Sequence, residues 1–360
     1  MRVAKRPLAR LVVLLLAVGL VAGACGSDKG DDETTTTAAG SGTDYSALSG
    51  TIDGGGSSFA DALYQEIISS FVDEAPDLTV NYNAVGSGQG KKDFASKLND
   101  FAGTDSLVKP EEAAAGTYLY FPTAAAPITL SYNVDGVDEL QLSADTLAKI
   151  FQGEIKSWDD AAIKADNPDA DLPSTSIVVV HRSDGSGTTN AFTKYLTKAA
   201  PTAWKLGSGD TVAWPASTQA GAKNTGVAQI VKSTDGAIGY VDFADAKEAG
   251  LVFASIKNKA GSFAAPTLDG ASAAMAGATT ADDLTMDALD ADGEGSYPIT
   301  AVTYIILRPS YSSGKGEAVK GFVEYVLTVG QEKAGDVNYA KLPSELATKA
   351  IAQLDKVTVG

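Results

Sequence analysis

The chain has 360 residues, of which 44 % are hydrophobic and 20 % charged, a composition typical of a globular protein with room for two domains. It contains one cysteine, Cys25, and one histidine, His181, which excludes an intrachain disulfide, a cysteine-rich zinc module and a metal centre built from several histidines. The formal net charge is −17, and a body this acidic would repel the phosphate backbone of nucleic acid, so no nucleic-acid partner is expected.

The first 24 residues are typical of an export signal. Four basic residues precede an apolar run over residues 11–21, namely Arg2, Lys5, Arg6 and Arg10. The apolar run is followed by three small residues, and it is shorter than the roughly 20 residues that a membrane-spanning helix needs. We therefore expect a signal peptide over residues 1–24.

Cys25 directly follows this segment. The arrangement resembles a lipoprotein signal, in which the cysteine becomes the lipid-modified first residue of the mature protein, although Ala22 stands where leucine is usual. A plain secretory signal that is cleaved nearby is the alternative. The following residues are rich in Ser, Gly and Asp and include four consecutive threonines, so residues 25–49 are expected to form the lipidated cysteine and an unfolded tether.

From residue 50 onward, short β-rich runs alternate with helical patterns, which predicts an α/β fold. Strands are expected at residues 78–83, 128–134, 177–181, 238–241 and 302–307. Helices are expected at residues 60–73, 91–99, 144–151, 188–199 and 316–328. The glycine-rich stretch 207–226 is expected to form a long functional loop, and the Ala- and Asp-rich run 269–292 a surface helix and loop.

Three segments combine a β-like run, a turn of glycine and serine residues, and the start of a helix. They are residues 54–59, 85–90 and 182–188. The first backbone N–H groups of a helix lack partners within the helix and lie at the positive end of its dipole, so they favour an anion. Glycine allows a close approach to the backbone, and hydroxyl groups add donors. Each turn alone could be an ordinary helix cap, but three together indicate an anion-binding site.

Charged residues in and near these turns narrow the choice of anion. The fork of the Arg182 guanidinium matches a tetrahedral oxyanion, and Asp184 could hold that fork in place; a surface ion pair is the alternative. Asp105 lies in a further small-residue turn. A carboxylate that faces an anion is favourable only when the anion carries a proton, as phosphate does near neutral pH and sulfate does not. Asp105 is therefore a candidate for selecting phosphate over sulfate.

Enzymatic interpretations fit the sequence less well. Residues 86–92 lack the G-x-x-x-x-G-K-[ST] spacing of a nucleotide-binding loop, with Lys92 in place of the hydroxyl. Ser183 stands where a G-x-S-x-G nucleophile motif needs its first glycine. His181 lies at a predicted strand end, five positions from Ser186, and is expected to be structural rather than a catalytic base. No catalytic residue and no metal ligand is therefore expected.

These motifs make the chain resemble the PstS family, the substrate-binding components of phosphate ABC transporters. The similarity extends from about residue 54 to about residue 327, and its most specific element is Arg-Ser-Asp-Gly-Ser-Gly-Thr at residues 182–188. It implies a set of phosphate-binding residues: Ser58, Phe59, Ser87, Asp105, Arg182, Ser186, Gly187 and Thr188. In this set Asp105 would accept the phosphate proton, and Asp184 would orient Arg182. Ser58 stands where threonine is common in the family, a change that keeps the hydroxyl.

The resemblance also implies a type II periplasmic-binding-protein-like fold, in which two α/β lobes joined by two β-strand crossings close on a ligand in the cleft. With crossings near residues 121–128 and 297–303, the first lobe would comprise residues 50–123 and 300–360, and the second lobe residues 124–299. The implied function is non-enzymatic, high-affinity phosphate binding outside the membrane and delivery to the permease and ATPase subunits of an ABC importer. The protein would be a monomer without a cofactor, held by its lipid at the outer face of the cell membrane.

Three other functions fit parts of the pattern. A receptor of the same fold for another oxyanion or a phosphorylated compound would not need a proton acceptor at Asp105. A secreted phosphatase or hydrolase would depend on Ser186 and would turn over a generic phosphomonoester. A structural cell-surface adhesin would bind no small anion.

Overall fold

A computed structural model describes residues 43–360, in which strands and helices alternate along the chain. The N-terminal part contains β1 (Gly50–Gly56), α1 (Asp61–Glu74), β2 (Leu78–Asn83), α2 (Ser87–Ala95), β3 (Phe101–Thr104) and β4 (Leu119–Asn133). The middle part contains β5 (Gln141–Leu142), α3 (Ala144–Phe151), α4 (Ala161–Asp166), β6 (Val178–Arg182), α5 (Gly187–Ala199), β7 (Gln219–Gly221), α6 (Lys223–Ser233), β8 (Ala237–Asp242), α7 (Phe243–Glu248), β9 (Val252–Phe253), β10 (Ser255–Lys257), β11 (Phe263–Ala264) and α8 (Leu268–Ala276).

The C-terminal part returns to the first group of strands. It contains β12 (Thr300–Leu307), β13 (Ser310–Tyr311), α9 (Lys315–Leu327), α10 (Val329–Lys333), α11 (Ser344–Gln353) and β14 (Thr358–Val359). Short 3-10 helices occupy Tyr45–Ala47, Gly335–Val337 and Leu354–Lys356. Within residues 43–360, no helix combines the length and the apolar character that crossing a membrane requires.

The main sheet has the strand order β2-β1-β3-β12-β4-β8-β6-β7, with β9 paired to β4. Strands β2, β1 and β3 run parallel to one another at one end, and β8, β6 and β7 run parallel at the other. Strands β12 and β4 lie between these groups and pair antiparallel with each other. We call the β1–β3 end with α1, α2 and α9–α11 the first lobe, and the β6–β8 end with α3–α7 the second lobe.

Strand β4 is shared by both lobes. It pairs with β12 as far as Pro127, opposite Thr300, and with β8 from Ile128, opposite Asp242. The strand is buried along almost its whole length, because helices cover both of its faces, and its sequence is correspondingly apolar. The chain therefore passes from the first lobe to the second within one strand at residues 127–128, and it returns at the start of β12.

Each lobe has an aromatic core. In the first lobe, the ring of Phe101 on β3 packs 5.3 Å from that of Phe322 on α9. In the second lobe, the ring of Phe192 on α5 stacks 4.8 Å from that of Tyr240 on β8. Both pairs join a helix to the sheet close to the strand ends that carry the predicted binding turns, and burial of such large rings fixes those ends in place.

The α/β prediction is confirmed, and most predicted elements lie within three residues of their observed bounds. Two elements differ. Helix α2 begins at Ser87 rather than at residue 91 and ends at Ala95, because the glycine-rich stretch is itself the first turn of the helix. The predicted strand 128–134 is the second half of the longer β4, whose alanine-rich first half gives no strong strand signal.

Two segments are less exposed than predicted, and the first is the 269–292 run, which does form a helix and a loop. Residues of the 269–292 run are partly buried, since Ala271, Ala274 and Met275 pack in one cluster with Ala102 of β3 and Val302 of β12. The run is therefore not a simple surface element, and it packs on first-lobe strands although it belongs to the range predicted for the second lobe.

The tether prediction fails at its C-terminal end. The segment Tyr45–Ala47 is a 3-10 helix, and the Tyr45 ring packs edge-on against Phe71 and Tyr325 at 5.4 and 5.6 Å. A single aromatic residue in a polar segment was not enough to predict this burial from composition. The signal peptide, Cys25 and the predicted tether as far as residue 42 lie outside the described residues.

Candidate functional site

The three glycine- and serine-rich turns all follow the carboxyl ends of parallel strands. Strand β1 ends at Gly56, β2 at Asn83 and β6 at Arg182. Helix α2 begins at Ser87 and α5 at Gly187, directly after their turns. Within each lobe the carboxyl ends of the parallel strands form one edge, where ligands of open α/β sheets bind. Because β3 and β12, β12 and β4, and β4 and β8 all pair antiparallel, the β6–β8 group runs opposite to the β1–β3 group, and the edges of the two lobes face each other. The sequence prediction that these turns belong together is consistent with this placement.

Backbone hydrogen bonds join the turns across the lobes. Within the first lobe, the N–H of Gly86 donates to the carbonyl of Gly56 at 2.7 Å. Between the lobes, the N–H of Gly88 donates to the carbonyl of Gly185 at 3.0 Å. The two lobes thus touch each other in a closed arrangement, and the contact is made by residues without side chains, which allows the backbones to approach closely.

Asp105, directly after β3, is the centre of a hydroxyl cluster on the first-lobe side. Its Oδ1 accepts hydrogen bonds from the hydroxyls of Ser57 at 2.5 Å and Thr303 at 2.8 Å, and its Oδ2 accepts one from Ser87 at 3.1 Å. The second lobe reaches the same carboxylate, because a Cβ placed on Gly187 would lie only 2.6 Å from Oδ2. Asp105 therefore lies at the boundary between the lobes, against the start of α5.

Two opposing effects act on the pKa of the Asp105 carboxyl group. Burial raises the pKa of Asp105 above its ordinary value, because a charge is costly away from water. The three hydroxyl donors and the positive charge of Arg182 favour the ionised form and oppose the shift. The effect of burial is the larger one, so the side chain is an acceptor that is held by hydroxyl groups and has a pKa above its ordinary value.

Arg182 is fixed by a two-point contact. Its Nε and Nη2 donate to the Oδ1 and Oδ2 atoms of Asp184 at 2.9 and 2.5 Å, and its Nη1 lies 3.4 Å from the hydroxyl oxygen of Thr188. Burial raises the pKa of Asp184, but the hydrogen bonds and charge of Arg182 outweigh it and hold this pKa below its ordinary value. The Arg182 side chain is 1 % exposed, so its charge acts in a weakly screened environment.

The turn after Arg182 is built as a helix cap. Ser186 is the N-cap of α5, and its hydroxyl oxygen accepts a hydrogen bond from the N–H of Thr189 at 3.1 Å. The N–H groups of Gly187 and Thr188 open the first turn of the helix, where amides have no partner within the helix. The cap prediction and the anion prediction are therefore compatible at this turn, since the serine hydroxyl can accept from the helix and still donate its proton elsewhere.

Phe59, which is predicted to bind the anion through its backbone, is held firmly by its side chain and its carbonyl. Its ring is fully buried and packs at 6.0 Å against that of Tyr339, whose hydroxyl donates to the Phe59 carbonyl at 2.5 Å. These contacts fix the turn that carries the neighbouring Ser58, which is 7 % exposed. Of the predicted site residues, all but Cys25 lie in the described part of the chain, in the three turns and the Asp105 turn.

Three residues that no sequence motif indicates contact the predicted site residues. The hydroxyls of Ser57 and Thr303 hold Asp105, as described above. Asn224, near the start of α6, is fully buried, and its Nδ2 donates to the hydroxyl oxygens of Ser58 at 3.4 Å and Thr188 at 3.2 Å. Asn224 thereby joins a first-lobe hydroxyl to a second-lobe hydroxyl. The stretch 207–226 was predicted to be functional, but no motif singles out Asn224 within it.

His181 makes its contacts with an aromatic ring and with the backbone. The imidazole of His181 stacks on Trp214 with ring centroids 5.0 Å apart, and its Nδ1 lies 2.9 Å from the carbonyl of Arg182. Burial lowers the pKa of His181, which favours the neutral ring in this stack. In residues 43–360, no group of three or more His, Cys, Asp or Glu side chains is arranged to hold a metal ion.

Two lobes that share a β-strand crossing and meet at turns rich in N–H and hydroxyl donors are typical of ligand-binding proteins. A family model described as the PBP superfamily domain matches residues 33–329. Among solved structures, the phosphate-bound high-affinity periplasmic phosphate-binding protein PfluDING superimposes with a TM-score of 0.69 at 24 % identity, over 84 % of this chain and 94 % of that chain. An ABC-type phosphate transport receptor from Vibrio cholerae has a TM-score of 0.56 at 17 % identity, over 81 % and 100 %. The chain therefore has the two-lobed fold of the periplasmic binding proteins, as predicted.

Relatives similar in sequence show to which family of periplasmic binding proteins the chain belongs. Phosphate-binding protein PstS from Pasteurella multocida (strain Pm70) is 37 % identical over 310 residues, which cover 84 % of this chain and 89 % of the relative. Phosphate-binding protein PstS3 from Mycobacterium bovis (strain BCG / Pasteur 1173P2) is 35 % identical over 361 residues, which cover 94 % and 95 %. The chain belongs to the PstS family of phosphate-binding proteins. The family resemblance inferred from the motifs is thus confirmed, as is the prediction of a binding protein rather than an enzyme.

Proposed function

We propose that this protein binds inorganic phosphate between its two lobes and delivers it to an ABC importer. The observation that carries the proposal is that the start of α5 in the second lobe lies against the Asp105 carboxylate and the Ser87 hydroxyl of the first lobe. A buried arginine, fixed by Asp184, acts on the same carboxylate through its charge. Relatives named as phosphate-binding proteins support the choice of ligand.

The second lobe supplies positive charge and N–H donors for the anion. Arg182 offers the guanidinium N–H groups that Asp184 leaves free, and the first turn of α5 offers the amides of Ser186, Gly187 and Thr188 from the positive end of a helix dipole. Of these amides, that of Ser186 is already bonded to a carbonyl, so Gly187 and Thr188 are the stronger backbone donors.

The first lobe supplies hydroxyl donors and one acceptor. Ser58 would donate to a phosphate oxygen, together with the backbone of Phe59. Ser87 would donate once its hydroxyl proton turns from Oδ2 of Asp105 to the anion. Asn224 donates to the oxygen atoms of Ser58 and Thr188, which leaves the protons of both hydroxyls free to point at the anion. We assign to Asn224 the orientation of these two donors, a role in addition to its link between the lobes.

Asp105 gives the site its selectivity in this proposal. Its Oδ1 is already bonded to two hydroxyls, whereas its Oδ2 is bonded only to Ser87 and faces the start of α5. Oδ2 would accept the proton that phosphate carries near neutral pH. Sulfate has no such proton and would leave a buried carboxylate against an anion oxygen, which is strongly unfavourable.

Calorimetric titration of the ligand-free protein with phosphate and then with sulfate tests the proposal. One-to-one binding of phosphate at micromolar or lower concentration, without heat from sulfate, is the expected result. Equal binding of both anions would contradict the role of Asp105 and leave a general oxyanion receptor. Binding of neither anion would reduce the three turns to helix caps.

Delivery to a transporter follows from the closure of the lobes. Phosphate that contacts both lobes stabilises the closed form by the contacts that exist only there, and the permease would recognise that form. The crossings at residues 127–128 and at the start of β12 would be the hinge. Stimulation of the ATPase of the reconstituted importer by the protein with phosphate, and not by the protein alone, is the expected result.

We further propose that Cys25 carries a lipid that holds the protein at the outer face of the cell membrane as a monomer. The position of Cys25 directly after an export signal supports this. Labelling of cells with a clickable fatty acid should mark the wild-type protein, and the variant Cys25→Ser should lose the label and leave the membrane fraction. An unlabelled wild-type protein would favour the plain secretory signal.

A further inference from the structure

A fully buried lysine lies next to the proposed site but outside its set of contacts. Lys91 is on α2, one turn after Ser87, and its side chain is 1 % exposed. Its Nζ is 3.0 Å from a carboxylate oxygen of Glu112 and 3.0 Å from one of Asp210. It also donates to the hydroxyl of Ser106 at 3.1 Å and to the carbonyl of Leu107 at 3.3 Å. A buried ammonium group is stable only with such compensation.

The two carboxylates belong to different lobes. Glu112 is in the loop between β3 and β4, where it also accepts a hydrogen bond from the N–H of Lys109 in the first lobe. Asp210 is in the loop between α5 and β7 of the second lobe. Separation of the lobes would therefore leave Lys91 with Glu112, Ser106 and the Leu107 carbonyl, and would remove only Asp210.

Asp210 is attached to the turn that is proposed to grip the anion. Its backbone carbonyl accepts the N–H of Ser186 at 2.9 Å, and its Oδ1 accepts a hydrogen bond from Nδ2 of Asn190 on α5 at 3.0 Å. A displacement of Asp210 would therefore also displace the first turn of α5. The ion pair with Lys91 joins this turn to α2, the helix that begins at Ser87.

We propose that the Lys91–Asp210 ion pair is a closure latch, a contact that sets how long the closed lobes retain phosphate. This inference rests on the proposed function. The pair forms only when the lobes are in contact, so its interaction free energy stabilises the closed form alone. It therefore lowers the rate at which the lobes open and release phosphate. Lys91 and Asp210 are positioning residues in this scheme, because they act through the lobes and the first turn of α5.

The structure provides a matched pair of variants for a test. Asp210→Asn and Glu112→Gln each remove one negative charge at 3.0 Å from the same lysine, but only Asp210→Asn removes it from the other lobe. Lys91→Met deletes the latch from the first lobe. Lys92→Met changes the net charge identically at the next, exposed position and serves as its control.

The experiment measures the phosphate dissociation constant by calorimetry and the release rate by stopped-flow fluorescence, with the melting temperature of each ligand-free variant as a measure of folding. Asp210→Asn is expected to raise the release rate and the dissociation constant by about 10- to 100-fold, since loss of one partner of a buried charge pair acts mainly on dissociation. Glu112→Gln and Lys92→Met should release phosphate at nearly the wild-type rate. Should Lys91→Met fail to fold, Asp210→Asn, which keeps the side-chain shape and an acceptor for Asn190, still decides the question.

The outcomes separate the two hypotheses. Wild-type binding of phosphate with an unchanged release rate in Asp210→Asn would overturn the latch and leave the proposed function intact. An equal effect of Glu112→Gln and Asp210→Asn would also overturn it, because the role would then be structural support of Lys91. A wild-type protein that bound no phosphate would overturn the proposed function and the latch together.

Discussion

Substitution of Gly187 by alanine should open the closed lobes without unfolding either of them. Gly187 is the first residue of α5, and an added Cβ would lie 2.6 Å from Oδ2 of Asp105 and 2.6 Å from the hydroxyl oxygen of Ser87. Both neighbours belong to the first lobe and are themselves held by hydrogen bonds, so neither can simply rotate away. Ordinary contacts of a Cβ begin at 3.4 Å. The lobes must therefore separate by several tenths of an ångström at this point.

The cost follows from the interactions that such a shift would break. The bond from the Gly88 N–H to the Gly185 carbonyl is 3.0 Å long and the Lys91–Asp210 ion pair is 3.0 Å, and both join the two lobes. With about 0.5–1.5 kcal/mol for the neutral hydrogen bond and about 1.5–3 kcal/mol for the charged pair, the closed form loses roughly 2–4.5 kcal/mol. This corresponds to an increase of about 30- to 2000-fold in the phosphate dissociation constant.

Calorimetry of Gly187→Ala with phosphate measures this loss, and the melting temperature of the ligand-free variant shows whether the fold is intact. The melting temperature should be nearly unchanged, because alanine is a better helix former than glycine and α5 lies within one lobe. Gly335→Ala is the matched control, since nothing lies within 4 Å of a Cβ there. Wild-type affinity in Gly187→Ala would refute the reasoning that the closed contact between the lobes binds the anion.

Three further substitutions test separate parts of the account. Arg182→Lys should raise the phosphate dissociation constant by about 10- to 150-fold, because lysine cannot contact Asp184 at two points and also present N–H groups to the anion. An unchanged dissociation constant in calorimetry would exclude Arg182 as the charged contact. Asp105→Asn should weaken phosphate binding and allow sulfate to bind. The phosphate affinity of the wild-type protein should fall as the pH drops through the raised pKa of Asp105, because the protonated carboxyl no longer accepts the phosphate proton. An affinity that does not change with pH would argue against this role. Tyr45→Ala should lower the free energy of unfolding in urea by about 3 kcal/mol, because the packing on Phe71 is lost, and should leave the phosphate affinity unchanged. An unaltered urea midpoint would show that this segment is not part of the folded body.

The sequence predicted the parts of the site that are local in the chain. Arg182 and its partner Asp184 are two residues apart, and the cap at Ser186 follows directly. Glycine and serine residues at the end of a strand indicate that another group can approach the backbone closely and that a helix begins there. This indication is local and does not depend on the rest of the fold. The two-lobed fold came from the resemblance of these motifs to a family rather than from periodicity.

The missed residues depend on contacts between distant parts of the chain. Thr303 reaches Asp105 across 198 residues, and Asn224 reaches Ser58 across 166. Thr303 is placed by an irregularity in the pairing of β12 with β4, between residues 303 and 304, and such a shift has no signature in a single sequence. The side chain of Lys91 likewise looks exposed in the sequence and is buried only because two loops cover it.

The structure of the protein crystallised with phosphate tests the central claim most directly. We predict electron density for a tetrahedral anion between the lobes, within hydrogen-bonding distance of Arg182, of the N–H groups of Gly187 and Thr188, and of the hydroxyls of Ser58 and Ser87. One oxygen of this anion should lie at hydrogen-bonding distance from Oδ2 of Asp105. An anion bound elsewhere, or one in the cleft that avoids Asp105 and Arg182, would contradict the account.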